Sequence, residues 1–278
     1  MSTIKHLRIK IGTRVCLGKI NPSSTPGCHD KDDAAKNVEE DLDTLRDLQY
    51  RLYAGGNRSV LVVLQAMDAA GKDGVVRHVM SGLNPQGCRV TSFKAPSVIE
   101  RQHDFLWRIH QAVPAFGEIG VFNRSHYEDV LVARVRNLVP KNVWQERFDA
   151  INNFERYLTD NGVTIIKFFL HISRKEQASR LLARLDDPDR NWKFTPADIE
   201  ERRYWNDYQE AFEDVLRRCN TPWAPWYVIP SDRKWYRNWA VAGILRETME
   251  AMKLNFPPPM QDVRALKRRL LADLRHER

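Results

Sequence analysis

Residues 66–74, AMDAAGKDG, set a glycine and a lysine side by side at Gly71-Lys72, with aspartates on both sides of the pair. Between a strand and a helix, such a loop lets backbone N–H groups and the helix start surround phosphate oxygens while the lysine neutralises them. The pattern approximates a P-loop (Walker A) with two departures. Ala66 replaces the first glycine, and Asp73 replaces the hydroxyl that ordinarily holds magnesium. The cradle is then formed by Ala69, Ala70, Gly71, Lys72, Asp73 and Gly74. Carboxylates beside bare phosphate would repel it, so at least one is expected to hold Mg2+, or Mn2+ in its place, between itself and phosphate. Asp68, inside the loop, is the candidate metal ligand. The competing reading is a glycine-rich helix entry in an unrelated α/β protein.

A second set lies in GEIGVFNRSHYEDV, where an apolar run ends in Asn123-Arg124. Strand ends near a P-loop face the ligand crevice. Arg124 is placed to stabilise charge on a transferring phosphoryl group. Asn123 stands where an acid normally completes a magnesium site, and could serve only through its carbonyl. The alternative is an ordinary turn, and His126 is expected to pack rather than act as a base. A third set comprises Arg180 and Arg184, four apart on one helical face, followed by Arg190 and Lys193, which together could close over a polyanion. Its alternative is a solvated face paired with Asp186, Asp187 and Asp189. Trp192, Trp223 and Trp226 offer rings that could stack on a base or fill a core.

These residues need a frame. The valine-rich run Ser59 to Gln65 reads as a strand covered on both faces, as in a parallel sheet. Arg89-VTSF, Ile119-GVF, Val163-TIIKFFL and Trp226-YVI are the further strands. Helical patterns separate them: Asp33 to Gly55-Gly56, Val75 to Leu83, Asp104 to Ala112, Tyr127 to Asn137, Asn142 to Thr159 and Lys175 to Leu185. Five strands alternating with helices predict a three-layer α/β fold. DDPDRNWKFT, residues 186–195, breaks the periodicity as a loop, and Thr195-Pro196 then caps a helix running to about Arg218, so that about 186–206 reads as a lid. Residues 1–31 form an irregular arm without visible chemistry, 32–255 the main domain, and 256–278 a tail whose Val263–Arg278 stretch is a basic amphipathic helix, solvated or facing a subunit rather than a membrane.

Composition narrows the class. With 42% hydrophobic and 29% charged residues in 278, a disordered or collagen-like chain is excluded. The longest aliphatic run, Val60 to Leu64, is far below the roughly 18–20 residues of a membrane span. Basic residues interrupt any signal-peptide core, and a cytoplasmic location is expected. Four scattered cysteines suggest neither a disulfide framework nor a structural metal. The net charge of +8 favours an anionic partner.

Taken together, QAMDAAGKDG, GEIGVFNRSHYEDVLVARV, ARLDDPDRNWKFTPADIEERRYW and TPWAPWYVIPSDRKWYRNWAVA resemble, in order, segments of the family-2 polyphosphate kinases, most closely the class accepting both nucleoside mono- and diphosphates. The resemblance runs from about residue 12 to residue 255. It implies a thymidylate-kinase-like P-loop kinase fold: a five-stranded parallel sheet, a modified P-loop, a second motif after the third strand and a helical lid. It also implies magnesium-dependent, reversible transfer of the terminal phosphoryl group of inorganic polyphosphate to AMP or ADP, giving ADP and ATP. By that resemblance Asp68 and Lys72 match the loop, Asn123 and Arg124 the second motif, and Arg180 and Arg184 the lid. Many relatives limited to diphosphates carry aspartate at the position of Asn123, which puts a strict ADP-only activity in doubt. No nucleic acid and no membrane is expected as a partner, and a homodimer or homotetramer is implied. The rival readings are an ATP-dependent nucleoside monophosphate kinase and a noncatalytic polyanion binder.

Overall fold

A computed structural model describes residues 5–276. The first four residues of the arm and the last two of the expected terminal helix lie outside the described residues.

Helix α1 (Lys31–Gly55) starts two residues ahead of the expected point, because the Asp30 side chain accepts from the N–H groups of Asp32 and Asp33. It ends at Gly56, which takes a left-handed φ of 56°. Strand β1 (Ser59–Ala66) is buried along its whole length and leads through the loop into α2 (Lys72–His78). Then come β2 (Cys88–Ser92), the single turn α3 (Trp107–His110), β3 (Ile119–Asn123), the single turn α4 (Val132–Val135) and α5 (Lys141–Asp160). Next are β4 (Val163–His171), α6 (Arg174–Asp186), α7 (Pro196–Glu201), α8 (Trp205–Arg218), β5 (Trp226–Pro230), α9 (Lys234–Ala251) and α10 (Val263–His276).

All strand pairs are parallel, in the order β2-β3-β1-β4-β5. Their side chains are buried on both faces except in the edge strand β2. Such burial requires a helical layer on each side. One group of helices is α1, α2 and α9; α4, α5 and α8 form another. Because the strands are parallel, the loops leaving β1 and β3 open at the same end of the sheet, and Leu64 of β1 sits in register with Asn123 of β3. This is the five-stranded parallel α/β fold expected from the strand pattern.

Four helical segments differ from expectation. The Val75 to Leu83 helix starts earlier, at Lys72, and ends at His78, with a 3-10 turn, Met80–Gly82, in place of its last turn. Only Trp107–His110 of the Asp104 to Ala112 segment is α-helical. The stretch expected to be helical from Tyr127 to Asn137 breaks into a 3-10 turn, His126–Asp129, and α4, because Arg147 takes the Asp129 carbonyl out of the helical ladder at 2.9 Å. The long helix from Thr195 is interrupted by a 3-10 turn, Arg202–Tyr204, whose last residue has left helical geometry at φ −89°, ψ 17°. The arm is more firmly attached than its composition suggested. Ile9 N–H donates to the Trp226 carbonyl at 3.0 Å, Arg8 bridges Tyr227 antiparallel on the outer edge of β5, and the Pro22 carbonyl accepts from Asp232 N–H at 3.1 Å.

Candidate active site

The loop between β1 and α2 turns on two residues with positive φ, Ala69 at 61° and Gly71 at 112°. Lys72 opens α2 and is buried, its Nζ donating to the Ala66 carbonyl at 3.0 Å. Burial drives its pKa below the ordinary lysine value, with Asp68 opposing that shift. Across the crevice Arg124 also has a positive φ, 63°, a strained conformation for a long side chain. Its backbone N–H is pinned to the Leu64 carbonyl at 3.1 Å. That conformation sends its Nη2 to Asp68 Oδ1 at 3.0 Å, while Asn123 Nδ2 donates to Asp73 Oδ1 at 2.8 Å. The expected loop and second motif therefore meet through two contacts, one an ion pair and the other an amide-to-carboxylate hydrogen bond. Burial works to lower the Arg124 pKa, but Glu128 and Asp68 outweigh it and hold the pKa up.

The expected lid arginines are placed differently. Arg180 does not face the crevice with free donors: Nη1 donates to the Ala69 and Ala70 carbonyls, both at 3.0 Å, and Nη2 to the Ser231 and Asp232 carbonyls at 2.6 and 2.9 Å. Its Nε meets Glu176 at 2.8 Å. Every arm of the fork is occupied, Nη1 by the outside of the loop, Nη2 by the chain after β5 and Nε by Glu176 of its own helix, so Arg180 braces the loop against β5 instead of reaching over it. Arg184 ion-pairs with Asp198 of α7 at 3.8 Å, tying the lid helix to α6. Lys193 and Trp192 are exposed on the lid, with the lysine over the tryptophan ring at 5.1 Å. Trp226 is no platform for a base. It is fully buried in β5 between Tyr127 and Lys167. Trp223 likewise packs, its ring under Arg156.

Several residues near the site escaped sequence reasoning. Glu128 lines a cavity of about 190 Å³ with Asp68, Arg124, Tyr208 and the lid residues Asp198 and Glu201. Burial raises its pKa, against Arg124 and Lys72. Gln177 of α6 donates to the Asp68 carbonyl at 3.0 Å. A second cavity, about 330 Å³, lies beyond Asn123 at the end of β2, lined by Arg89, Thr91, Phe93, Lys94 and the buried Arg108. Behind the Arg124 turn is a fully buried polar cluster. Lys167 Nζ donates to Glu155 Oε2 at 2.5 Å, to the Tyr127 hydroxyl at 2.8 Å and to the Cys219 carbonyl at 2.7 Å. Tyr127 in turn donates to Glu155 Oε1 at 2.7 Å, and His126 Nε2 lies 3.2 Å from the same oxygen. His126 therefore packs as expected. A lysine in the middle of the apolar run VTIIKFFL was the signal for this cluster.

Among the described residues, no three His, Cys, Asp or Glu side chains converge as a metal site. A divalent ion here would draw most of its ligands from phosphate, with one carboxylate such as Asp68 anchoring it. That oxygen-only donor set suits Mg2+ or Mn2+.

Comparisons with known proteins agree with this geometry. The family model described as "Polyphosphate kinase 2 (PPK2)" matches residues 28–257. An AMP/ADP-polyphosphate phosphotransferase of Meiothermus ruber is 51% identical over 257 residues, covering 92% of this chain and 96% of the relative. An ADP-polyphosphate phosphotransferase of Rhodopseudomonas palustris is 46% identical, covering 91% and 92%. The crystal structure of polyphosphate kinase 2 from Arthrobacter aurescens superposes with a TM-score of 0.93 at 42% identity, covering 98% of this chain and 97% of that one.

Proposed function

The chain belongs to the polyphosphate kinase 2 family, and on that premise we propose that it moves the terminal phosphoryl group of inorganic polyphosphate onto AMP and ADP. The observation that carries the reading is the Asp68–Arg124 pair, which joins the phosphate loop to the end of β3 and sets a cation and a carboxylate at one point.

The chemistry is in-line displacement: an acceptor phosphate oxygen attacks the terminal phosphorus, and the bond to the shortened polyphosphate breaks. No covalent intermediate on the protein is required. Two polyanions must be brought together, so the chain's task is to offset repulsion and align the groups. Lys72 and the loop amides hold the donor's terminal phosphates. Arg124 releases Asp68 as phosphate enters and follows the charge that develops on the moving group. Mg2+ held by Asp68 would neutralise phosphate charge and leave the terminal phosphorus more open to attack. Tripolyphosphate or a longer chain lies along the loop, and the acceptor nucleotide takes the cavity beyond Asn123, where Arg89 and Lys94 meet its phosphate and Phe93 its apolar surface. The neutral Asn123 leaves one negative charge fewer facing that acceptor, which supports acceptance of both AMP and ADP.

We assign this activity to residues 32–255, with 186–206 as the lid that excludes water, and infer a homodimer or homotetramer supported by the exposed leucines of α10. Incubation of the chain with AMP, Mg2+ and long-chain polyphosphate, with no ATP added, tests the reading. ADP and then ATP should form, and a chelator should stop both. Turnover that requires ATP would instead identify an ordinary monophosphate kinase, and salt-sensitive binding without turnover a noncatalytic polyanion binder.

A further inference from the structure

Arg237 of α9 is 2% exposed, yet among the described residues it forms no ion pair with a carboxylate. Its Nε and Nη2 donate to the side-chain oxygen of Asn238 at 3.2 and 2.8 Å, and its Nη1 reaches the Ala70 carbonyl at 3.4 Å. The guanidinium packs against the loop and the first turn of α2. A Cβ on Gly71 would stand 1.8 Å from Nη1, and one on Gly74 would stand 2.6 Å from Nη2. The two glycines of the motif thus leave the room that this arginine fills. The Ala70 carbonyl also accepts from Arg180 at 3.0 Å, so two guanidiniums of like charge converge on one oxygen. Burial, with Arg180 beside it, pushes the Arg237 pKa down to about 10.

Buried charge is costly without a counter-ion, and a second cation beside it adds to the cost. Asn238 accepts hydrogen bonds but carries no charge, and no carboxylate among the described residues pairs with Arg237. A trans peptide points its N–H away from its carbonyl, so with the Ala70 oxygen held from outside by Arg180 and Arg237, the Gly71 N–H is directed to the opposite side, into the loop. We propose that Arg237 is a positioning residue for the phosphate donor: with Arg180 it fixes the Ala70–Gly71 peptide, and its charge is balanced only when a phosphate chain lies in the loop. This deepens the kinase reading and rests on it for the identity of the chain, but not for the binding of phosphate.

The test compares the full chain with Arg237→Met and Arg237→Lys. Thermal unfolding is followed with and without tripolyphosphate, and steady-state rates are measured with polyphosphate and AMP. The decisive quantity is the rise in unfolding midpoint that tripolyphosphate causes. Arg237→Met should lose most of that rise, and its KM for polyphosphate should increase on the order of ten- to a hundredfold, the size of a charge-assisted contact. Its KM for AMP should move far less. Arg237→Lys keeps the charge and should recover part of the affinity, and millimolar guanidinium should do the same for Arg237→Met. A rise in Arg237→Met equal to that of the unaltered chain, with an unchanged KM for polyphosphate, would show that Arg237 merely fills space and would overturn the proposal. Should Arg237→Met fail to fold, the lysine variant decides by the same two quantities. An unaltered chain that binds tripolyphosphate yet turns nothing over would refute the kinase reading while leaving the binding comparison intact.

Discussion

Two charged clusters sit on either side of the Arg124 turn, and their surroundings differ. At the front, Asp68 and Arg124 are paired at 3.0 Å with their side chains 37% and 41% exposed. At the back, Glu155 and Lys167 are paired at 2.5 Å and wholly buried. The front pair can exchange partners cheaply, because water screens what is left behind when the two part. The back pair cannot, because each member would remain as an uncompensated charge in the core. One arrangement is suited to being opened by substrate and the other to holding still. The strained φ of Arg124 is tolerable because the residues just after it, His126 and Tyr127, are bonded into the rigid cluster.

That contrast can be broken by separating stability from turnover. The largest effect is expected from Lys167→Ala, which strands Glu155 and should lower unfolding free energy by about 3–5 kcal/mol. Denaturant titration measures it, and a loss below about 1 kcal/mol would mean that the buried pair does not anchor the turn. Next, Lys72→Ala should cut kcat by on the order of a hundred- to a thousandfold, as for loss of one preorganised stabilising group, with the unfolding midpoint little changed. Near-normal turnover in that variant would remove the phosphate loop from the mechanism. A smaller effect is expected from Asn123→Asp. The new carboxylate would face Asp73 across the 2.8 Å gap that the amide now bridges, so it must bind metal or a proton to stay there. The ratio of AMP to ADP turnover should fall roughly three- to tenfold, the scale of one altered polar contact; an unchanged ratio would detach acceptor choice from this residue. The smallest belongs to Trp192→Ala. The residue is 72% exposed and, among the described residues, is held by the Asp189 carbonyl and Lys193, so its loss should alter the KM for AMP by less than about threefold. A larger change would restore this tryptophan as a base platform.

The sheet was legible because its central strands β1 and β4 are largely apolar runs without polar alternation, and that pattern has few other uses. The placement of the loop was legible because Gly71-Lys72 lies between such a run and a helix. Arg180 misled for a physical reason. A helical arginine near a loop reads as a free cation, and only the folded chain shows that the carbonyls of residues 69, 70, 231 and 232 consume its donors. Arg237 and Glu128 went unremarked because the loop they approach, at Ala70 for one and at Asp68 and Lys72 for the other, lies far away in sequence. A signal for Arg237 did exist: it shares a helical face with Ala240, Val241 and Ile244, all buried, and a cation on such a face has to be answered by something. Trp226 was ambiguous in the same way, since a large ring in a strand serves a core as readily as a ligand.

The antiparallel seam between Arg8–Ile9 and Trp226–Tyr227 has a practical consequence. Without it, the outermost strand would present a bare ladder of amides and carbonyls, the kind of surface onto which a neighbouring molecule can zip. A proteolytic nick near Gly12 that released the preceding peptide would therefore be felt first as clumping in storage, before any loss of activity per intact molecule. Preparations of this protein should be checked for such clipping whenever turbidity appears.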